Sequence, residues 1–418
     1  MKIAADHLFF GESETRAGRI VIENGLIVDL LEPGESDLDL GNALLCSGFV
    51  NAHIHLDLSI PPAKDHTPED FGNWLGKVVE SRRSLGPKGL SEAAARGIEE
   101  CMASGTTAVF DIDPSGHSLQ PLENSDLKRV IFREVISLTD EFEDQKSLLD
   151  FLGADFDPKK ELRAISPHSP YTVSPMVMDR LLDLSKTLEK PWAIHVAESE
   201  WEEELLTSTS GPGADFLRQF ETDPAAFHRG TSFIQSLVNQ KKLSQLGLVI
   251  HGNHCSDEEL DQMAKSGVPL VWCPSSHQYF RRPPHPAPEA HLKGVKVLLG
   301  TDGLISCGHL SMLQELRHAR AAAKEISAHE LWSMVTVNPR SWLNECGHGE
   351  LLGSGRLEVG DPADLVAITI PKKTPAKNES VLETALQGSL LACWIDGRVT
   401  NSLAPNGPDQ TPSEGDAP

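Results

Sequence analysis

The 418-residue chain has no run of about 18 consecutive apolar residues, the length a helix needs to cross a bilayer. Its opening, MKIAADHLFFGESETRAGRI, has neither the apolar centre nor the small-residue cleavage site of a secretion signal. That predicts a cytoplasmic protein. No cysteine pair forms CxxC. The seven cysteines, Cys46, Cys101, Cys255, Cys273, Cys307, Cys346 and Cys393, are odd in number and widely spread. This excludes a disulfide framework and a thiolate zinc site, and leaves free, mostly buried thiols. Positive charge is scarce, with 37 Lys and Arg against 61 Asp and Glu and a net charge of −24. Such a surface repels phosphate backbones and anionic lipid. The expected partner is a small-molecule substrate, with no nucleic acid and no membrane. A homo-oligomer is allowed, but nothing in the sequence calls for one. There is no internal repeat.

What is present is ordinary globular composition, 39% hydrophobic and 23% charged, arranged in two textures. Residues 1–47 alternate short apolar runs with turn signals, and Asn24-Gly25 in GRIVIENGLIVDLLEPG reads as a hairpin turn. Residues 350–402 share that texture in GRLEVGDPADLVAITI and ACWIDGRVT. The two ends are expected to form one small β-sandwich domain. Between them, over 48–349, strand-like runs alternate with helical ones. GFVNAHIH, TAVFDID, VIFREVISL, RAISPHS, WAIHVAES, GLVIHGNH, PLVWCPSSH and VKVLLGTDG give eight strands. LSEAAARGIEECMASG, SPMVMDRLLDLSKTLEK and SDEELDQMAKSG are among the helices. The pattern predicts an α/β fold, a (β/α)8 TIM-type barrel. Residues 403–418, rich in Pro, Gly, Ser and Asp, read as a disordered tail.

Chemistry in such a barrel collects at the C-terminal strand ends. Strand one ends in NAHIHLDLS. His53 and His55, two apart, share a face and can grip one object. Strand four ends near His168, strand five with His195, strand six with His251 and strand eight with Asp302. Each histidine alone is as readily a core residue. Together, at one end of the barrel, they suit a divalent ion such as zinc. Three histidines plus Asp302 leave room for a water, whose pKa such an ion lowers from ~15.7 toward ~7. Glu198, three residues after His195, can reach over the site and carry a proton. Glu200, Glu202, Glu203 and Glu204 read as surface or helix-start residues.

NAHIHL, SPHSPY, HVAES, HGNH and GTDG, in this order, resemble the amidohydrolase superfamily. The likeness is strongest to its branch of metal-dependent deaminases and triazine chlorohydrolases, and it extends over about the whole chain, GRLEVGDPADLV included. Deaminases that combine H-x-E with PCxxC have another fold, and this chain has no PCxxC. The resemblance implies that His53, His55, His195 and Asp302 ligate one metal, with zinc expected and iron, manganese or nickel also suited. It implies that Glu198 shuttles the proton and that His251 contacts the hydrolytic water or adds a ligand. It makes His168 a contact to the substrate's ring or sugar, and Glu80 a contact to ribose hydroxyls. No lysine ends the fourth strand, so a carbamylated-lysine two-metal site is not expected. The catalytic set is thus Glu198, His251 and Asp302.

Within the branch, AHIHLDLS, HVAESEWEEELL, HGNHCSDEEL and CPSSHQYFRRPPHP are most similar to the subgroup that deaminates aminodeoxyfutalosine. That substrate carries a benzoate, which wants a guanidinium. Arg281 or Arg282 is the candidate, and His277 is a second substrate contact. The chain departs from the subgroup at Ser275, at Arg281-Arg282 and in GLISCGHLS after GTD. These departures fall in the substrate pocket and bear on the substrate rather than the reaction class. Rival readings are deamination of S-adenosylhomocysteine or methylthioadenosine, of guanine or cytosine, and chlorohydrolysis. A scaffold that had lost the chemistry should lack a ligand or the shuttle, and none is missing.

Overall fold

The computed structural model describes residues 1–62, 71–142, 145–371 and 380–402; the expected tail at 403–418 lies outside them. The first five strands are β1 (Lys2–Phe9), β2 (Thr15–Glu23), β3 (Leu26–Leu31), β4 (Leu38–Asp39) and β5 (Ala43–Ser47). Asn24 and Gly25 join β2 to β3 with φ of 50° and 81°, the two positive values that a type I′ hairpin turn demands. Then come eight strands separated by helices: β6 (Phe49–Ile54), β7 (Thr106–Asp113), β8 (Lys128–Val135), β9 (Glu161–Pro167), β10 (Trp192–Val196), β11 (Gly247–His251), β12 (Leu270–Trp272) and β13 (Val297–Leu299). Last are β14 (Leu365–Thr369), β15 (Leu390–Ile395) and β16 (Arg398–Ser402).

The two chain ends meet because β14 pairs antiparallel with β5 along its full length, Leu365 opposite Ser47 and Thr369 opposite Ala43. The result is one continuous mixed sheet in the order β16-β15-β14-β5-β1-β2-β3, with β4 beside β1. Lys128, at the start of β8, ties this sheet to the barrel through Asp364 (2.8 Å) and Asp396 (3.1 Å).

Strands β6 to β13 are parallel and ordered as they occur in sequence. They are buried along nearly their whole length, as expected for a parallel sheet covered on both faces. Alternate residues divide between two cores. Val50, Ala52, Phe110, Phe132, Ala164, Ala193, Ile250 and Leu298 fill the barrel interior. Val109, Ile131, Ile165, Ile194, Val249 and Leu299 face the helices. Backbone N–H groups of Thr301 and Asp302 donate to the His53 carbonyl (3.1 and 3.0 Å) and draw the barrel together between β13 and β6. Gly300 permits that approach, since a Cβ there would lie 2.8 Å from both the backbone N and the Cβ of His53.

The helix Phe71–Ala103 is broken at Gly86 (φ 60°) just before Pro87. Its first half lies across the C-terminal end of the barrel. The face made by Trp74, Leu75, Val78, Val79 and Arg82 covers a cavity there. No helix among the described residues is long and apolar enough to cross a membrane.

Candidate active site

Interior phase decides which side chains reach the barrel mouth. On β10, His195 continues the phase of Ala193. On β9, His168 continues that of Leu162 and Ala164, and beyond β13 Asp302 continues that of Leu298. β6 needs a correction, because His53 and His55 are out of phase with the interior residues Val50 and Ala52. A register shift between Asn51 and Ile54 against β7 supplies it. The extra residue flips the strand's faces, so both imidazoles turn inward. His251 is also out of phase with Ile250, and reaches the mouth from a left-handed backbone, φ 68°. Asp302 (φ 67°) and Ala197 (φ 50°), between His195 and Glu198, are left-handed too. Non-glycine residues in that region cost about 1–3 kcal/mol each and cluster at functional sites.

Four of the expected ligands close on one point. His53 Nε2 and His55 Nε2 lie 3.4 and 3.7 Å from Asp302 Oδ1, and His55 Nε2 lies 3.3 Å from His195 Nε2. His195 Nδ1–H donates to the His168 carbonyl (2.8 Å). That bond fixes the tautomer and leaves Nε2 with its lone pair toward the centre. Burial lowers the pKa of His195 well below the usual histidine range, with His168 adding to the effect. Burial does the same for His55, helped by His53. Neutral imidazoles are what a cation needs. His53 is fully buried, and neither of its ring nitrogens has a hydrogen-bond partner. Such orphans are costly unless something satisfies them. A divalent cation among His53, His55, His195 and Asp302 does so, and the donor set fits it. His251 stands beside these four, its ligand atom within 4.8 Å of those of His53 and His195.

Sequence reading missed the groups that aim Asp302. Ser276 Oγ and Ser306 Oγ both donate to its Oδ2, at 2.8 and 2.7 Å, and leave Oδ1 for the histidine side. Burial would raise this carboxyl. His53, 3.4 Å away, together with His251 and His55 outweighs burial and holds it well below the usual range. Ser275, the residue before, gives its N–H to buried Glu315 (3.0 Å).

Glu198 is buried and its Oε1 lies 3.7 Å from His251 Nε2. Burial pushes its pKa up to about 7; Arg282 opposes this and Asp302 adds to it. Its backbone carbonyl accepts a bond from Asn253 Nδ2 (3.0 Å). Glu202 corrects the expectation for the acidic run. It does lie in the first turn of a helix, but it is 3% exposed and its Oε1 accepts the Ala197 N–H (2.8 Å). A buried carboxylate thereby pins the left-handed turn that delivers Glu198.

The cavity beneath the helix Phe71–Ala103 measures about 300 Å³. His55, His168, His195, Glu198, His251 and Asp302 line one side, and Leu58, Trp74, Val78, Phe220 and Ile305 the other. His168 faces it, with Nδ1 2.6 Å from Thr172 Oγ1. Arg82 also lines it and makes a two-pronged ion pair with buried Asp57, Nη1 to Oδ1 at 3.1 Å and Nη2 to Oδ2.

Three expected substrate contacts stand elsewhere. Glu80 is exposed, because residues 74, 75, 78, 79 and 82 form the cavity stripe of its helix and position 80 falls outside it. His277 turns away, its Nδ1 3.1 Å from Asn253 Oδ1 and its Nε2 2.7 Å from the Pro283 carbonyl. Arg281 is exposed along an outer cleft that also meets Phe216 and Phe220. Arg282 is different. Its side chain is 9% exposed, lies 3.6 Å from Glu198 Oε1 and stacks over Phe280 and Phe71, 4.5 and 5.2 Å from the ring centres.

The amidohydrolase family model matches residues 44–400. An aminodeoxyfutalosine deaminase of a Nitratiruptor species is 28% identical over 337 residues, 79% of this chain and 80% of that one. A 5-methylthioadenosine/S-adenosylhomocysteine deaminase of Syntrophomonas wolfei subsp. wolfei is 27% identical over 406 residues, 91% of this chain and 88% of that one. The fold is shared with Helicobacter pylori aminofutalosine deaminase in complex with methylthio-coformycin, at a TM-score of 0.81 and 22% identity over 96% of this chain and 100% of that one. With the family model spanning 44–400 and histidines and an aspartate that could hold a metal ion clustered at one end of the barrel, the chain belongs to the amidohydrolase family and is a metal-dependent hydrolase.

Proposed function

We propose that the enzyme is a hydrolytic deaminase of an aminated, adenosine-like ring: water and the amine give the oxo ring and ammonia. The observation that carries this reading is Glu198, a buried carboxyl with a pKa near 7, set against neutral His251 beside the metal cradle. A group that can hold and give up a proton near neutral pH suits general acid–base work.

His53, His55, His195 and Asp302 would hold one divalent ion, with zinc the first choice and iron, manganese and nickel compatible with the same donors. When bound, the ion supplies Lewis acidity and makes water a nucleophile at neutral pH. His251 and Asp302 take the proton from the attacking water. Glu198 protonates the ring nitrogen next to the aminated carbon, so that this carbon accepts the oxygen; the proton taken from the water then passes to the amino group, which leaves as ammonia, and Glu198 regains its proton from the remaining hydroxyl. His168 contacts the ring from the neighbouring strand. Leu58, Trp74, Val78 and Ile305 form an apolar wall that keeps bulk water out of the cavity.

For the substrate, our first choice is 6-amino-6-deoxyfutalosine, after the relative 28% identical over 337 residues, which would place the enzyme in menaquinone biosynthesis. Arg282, buried 3.6 Å from Glu198 Oε1 and lining the outer cleft, is the candidate mate of a substrate carboxylate. S-Adenosylhomocysteine or methylthioadenosine is the second reading, supported by a relative matched over 91% of the chain.

The test is metal per chain together with ammonia release from aminodeoxyfutalosine, S-adenosylhomocysteine, methylthioadenosine, adenosine, guanine and cytosine. One metal per chain and rapid release from the first alone is the expected result. Glu198→Gln should keep the metal and lose about 10²–10⁴-fold in rate. A variant near the wild-type rate would remove Glu198 from its role. Metal without ammonia from any amine would end the deaminase reading.

A further inference from the structure

Glu134 has no part in the site described so far. It sits on β8 in phase with the interior residues Val130 and Phe132, so it points to the same end of the barrel as the histidines. Its side chain is 6% exposed. Its Oε1 is buried without a hydrogen-bond partner and it lines the cavity. His168 Nε2, 3.9 Å away, is too far to satisfy it. Burial pushes the Glu134 carboxyl up to about 7, against the opposing field of Arg82.

The missing partner has a definite chemistry. The ligand atoms of Glu134, His168 and His195 lie within 4.8 Å of one another, so Glu134 borders the metal cradle. Glu198 borders it on the other flank, beside His251 and Arg282. A ring whose reacting carbon sits at the cradle meets Glu198 on one side and Glu134 on the other. A second metal there is poorly provided for. His195 already uses Nδ1 on the His168 carbonyl and turns Nε2 to His55, so Glu134 and His168 are left as two donors. A sugar hydroxyl is common to the amino and chloro nucleosides compared below, so a bond to it would weaken both alike. The ring nitrogens of an adenine-like edge accept hydrogen bonds. The donor that must come to this place is the amino group that leaves.

We propose that Glu134 accepts a hydrogen bond from the departing amino group, and so selects an amine over leaving groups that carry no N–H. The proposal rests on the deaminase reading. As the C–N bond breaks, the nitrogen takes up the proton that His251 and Asp302 removed from the water and gains positive character, which a fixed carboxylate favours more than it favours the neutral amine. Glu134 is then a catalytic residue, paired across the ring with Glu198.

The experiment compares wild type with Glu134→Gln and Glu134→Ala on a 6-amino and a 6-chloro purine nucleoside that are otherwise identical. Zinc-loaded enzyme is used. Rates are followed as ammonia or chloride release, and binding of each nucleoside by calorimetry. Metal content and melting temperature are checked alongside. For the amine, kcat/KM should fall roughly tenfold to a hundredfold in Glu134→Gln, the worth of a hydrogen bond to a charged group. The chloro compound should keep its wild-type rate and affinity, a contrast that damage to the fold cannot produce. Equal losses on both compounds, or no loss on either, overturn the proposal. If wild type releases no ammonia from any amine, the deaminase reading fails on its own. Binding then decides: amine affinity that drops in Glu134→Gln while chloro affinity stays supports the contact, and unchanged amine affinity removes it.

Discussion

Asp302 offers one oxygen toward the metal cradle because the other is held. Ser276, in the short helix Pro274–Tyr279, and Ser306, in Leu304–Cys307, donate to Oδ2 at 2.8 and 2.7 Å, while Oδ1 faces His53 and His55 at 3.4 and 3.7 Å. Remove one hydroxyl and the other still fixes the carboxylate plane. Remove both and the group can rotate, and a buried oxygen loses all the donors assigned to it. Groups that orient a ligand typically carry about 10–100-fold in metal affinity. Each hydrogen bond to a charged group is worth about 1.5–3 kcal/mol. Ser276→Ala and Ser306→Ala should therefore each weaken zinc affinity by no more than about threefold, which would add to at most about tenfold, whereas the double variant should lose roughly a hundredfold, the two losses coupled through the shared oxygen. The assay is competition for zinc against a chromophoric chelator, with circular dichroism to show that the barrel remains folded. A folded double variant with wild-type zinc affinity would refute the claim that Asp302 depends on these hydroxyls. Losses that simply add would refute the claim that they back each other up.

Glu315 is fully buried, and its pKa is raised from 4.5 to about 8 by burial, opposed by its bonds to Ser275 and aided by Asp302. The folded state therefore holds this proton more tightly than the unfolded one. The stability it contributes is complete below about pH 4.5 and is lost as pH rises through about 8. At about 1.36 kcal/mol per pH unit the loss is on the order of 3–5 kcal/mol. Glu315→Gln should remove it, so urea melts of the two proteins should agree near pH 5 and separate by pH 8 with the variant the more stable; parallel curves would contradict the assignment. Gly300→Ala should cost about 1–3 kcal/mol or more, because the new Cβ would meet His53 backbone at 2.8 Å, and it should reduce metal content as well. A variant with unchanged melting and full metal would show that the seam between β13 and β6 has slack.

The barrel and its ligands were legible because strand ends and spacing carry the signal directly. His53 and His55 share a face whatever the phase of their strand, so a spacing of two was enough to pair them. The register shift that turns them inward was not readable, since no glycine or proline marks it. His251 and Asp302 could be placed at strand ends, but their left-handed backbones could not, because positive φ stays uncommon even for Asp and His, which are enriched there. Glu80 went astray for a helical reason: the stripe Trp74, Leu75, Val78, Val79 and Arg82 could have been traced in the sequence, and it excludes position 80. Glu202 was hidden by its acidic neighbours, which made a buried carboxylate look solvated. Ser276 and Ser306 act through a contact between two short helices far apart in sequence, Pro274–Tyr279 and Leu304–Cys307, which no local pattern records. Glu134 was within reach. In VIFREVISL it keeps the interior phase of Val130 and Phe132 to the end of the strand, and a charged residue in that phase has only the barrel mouth to go to.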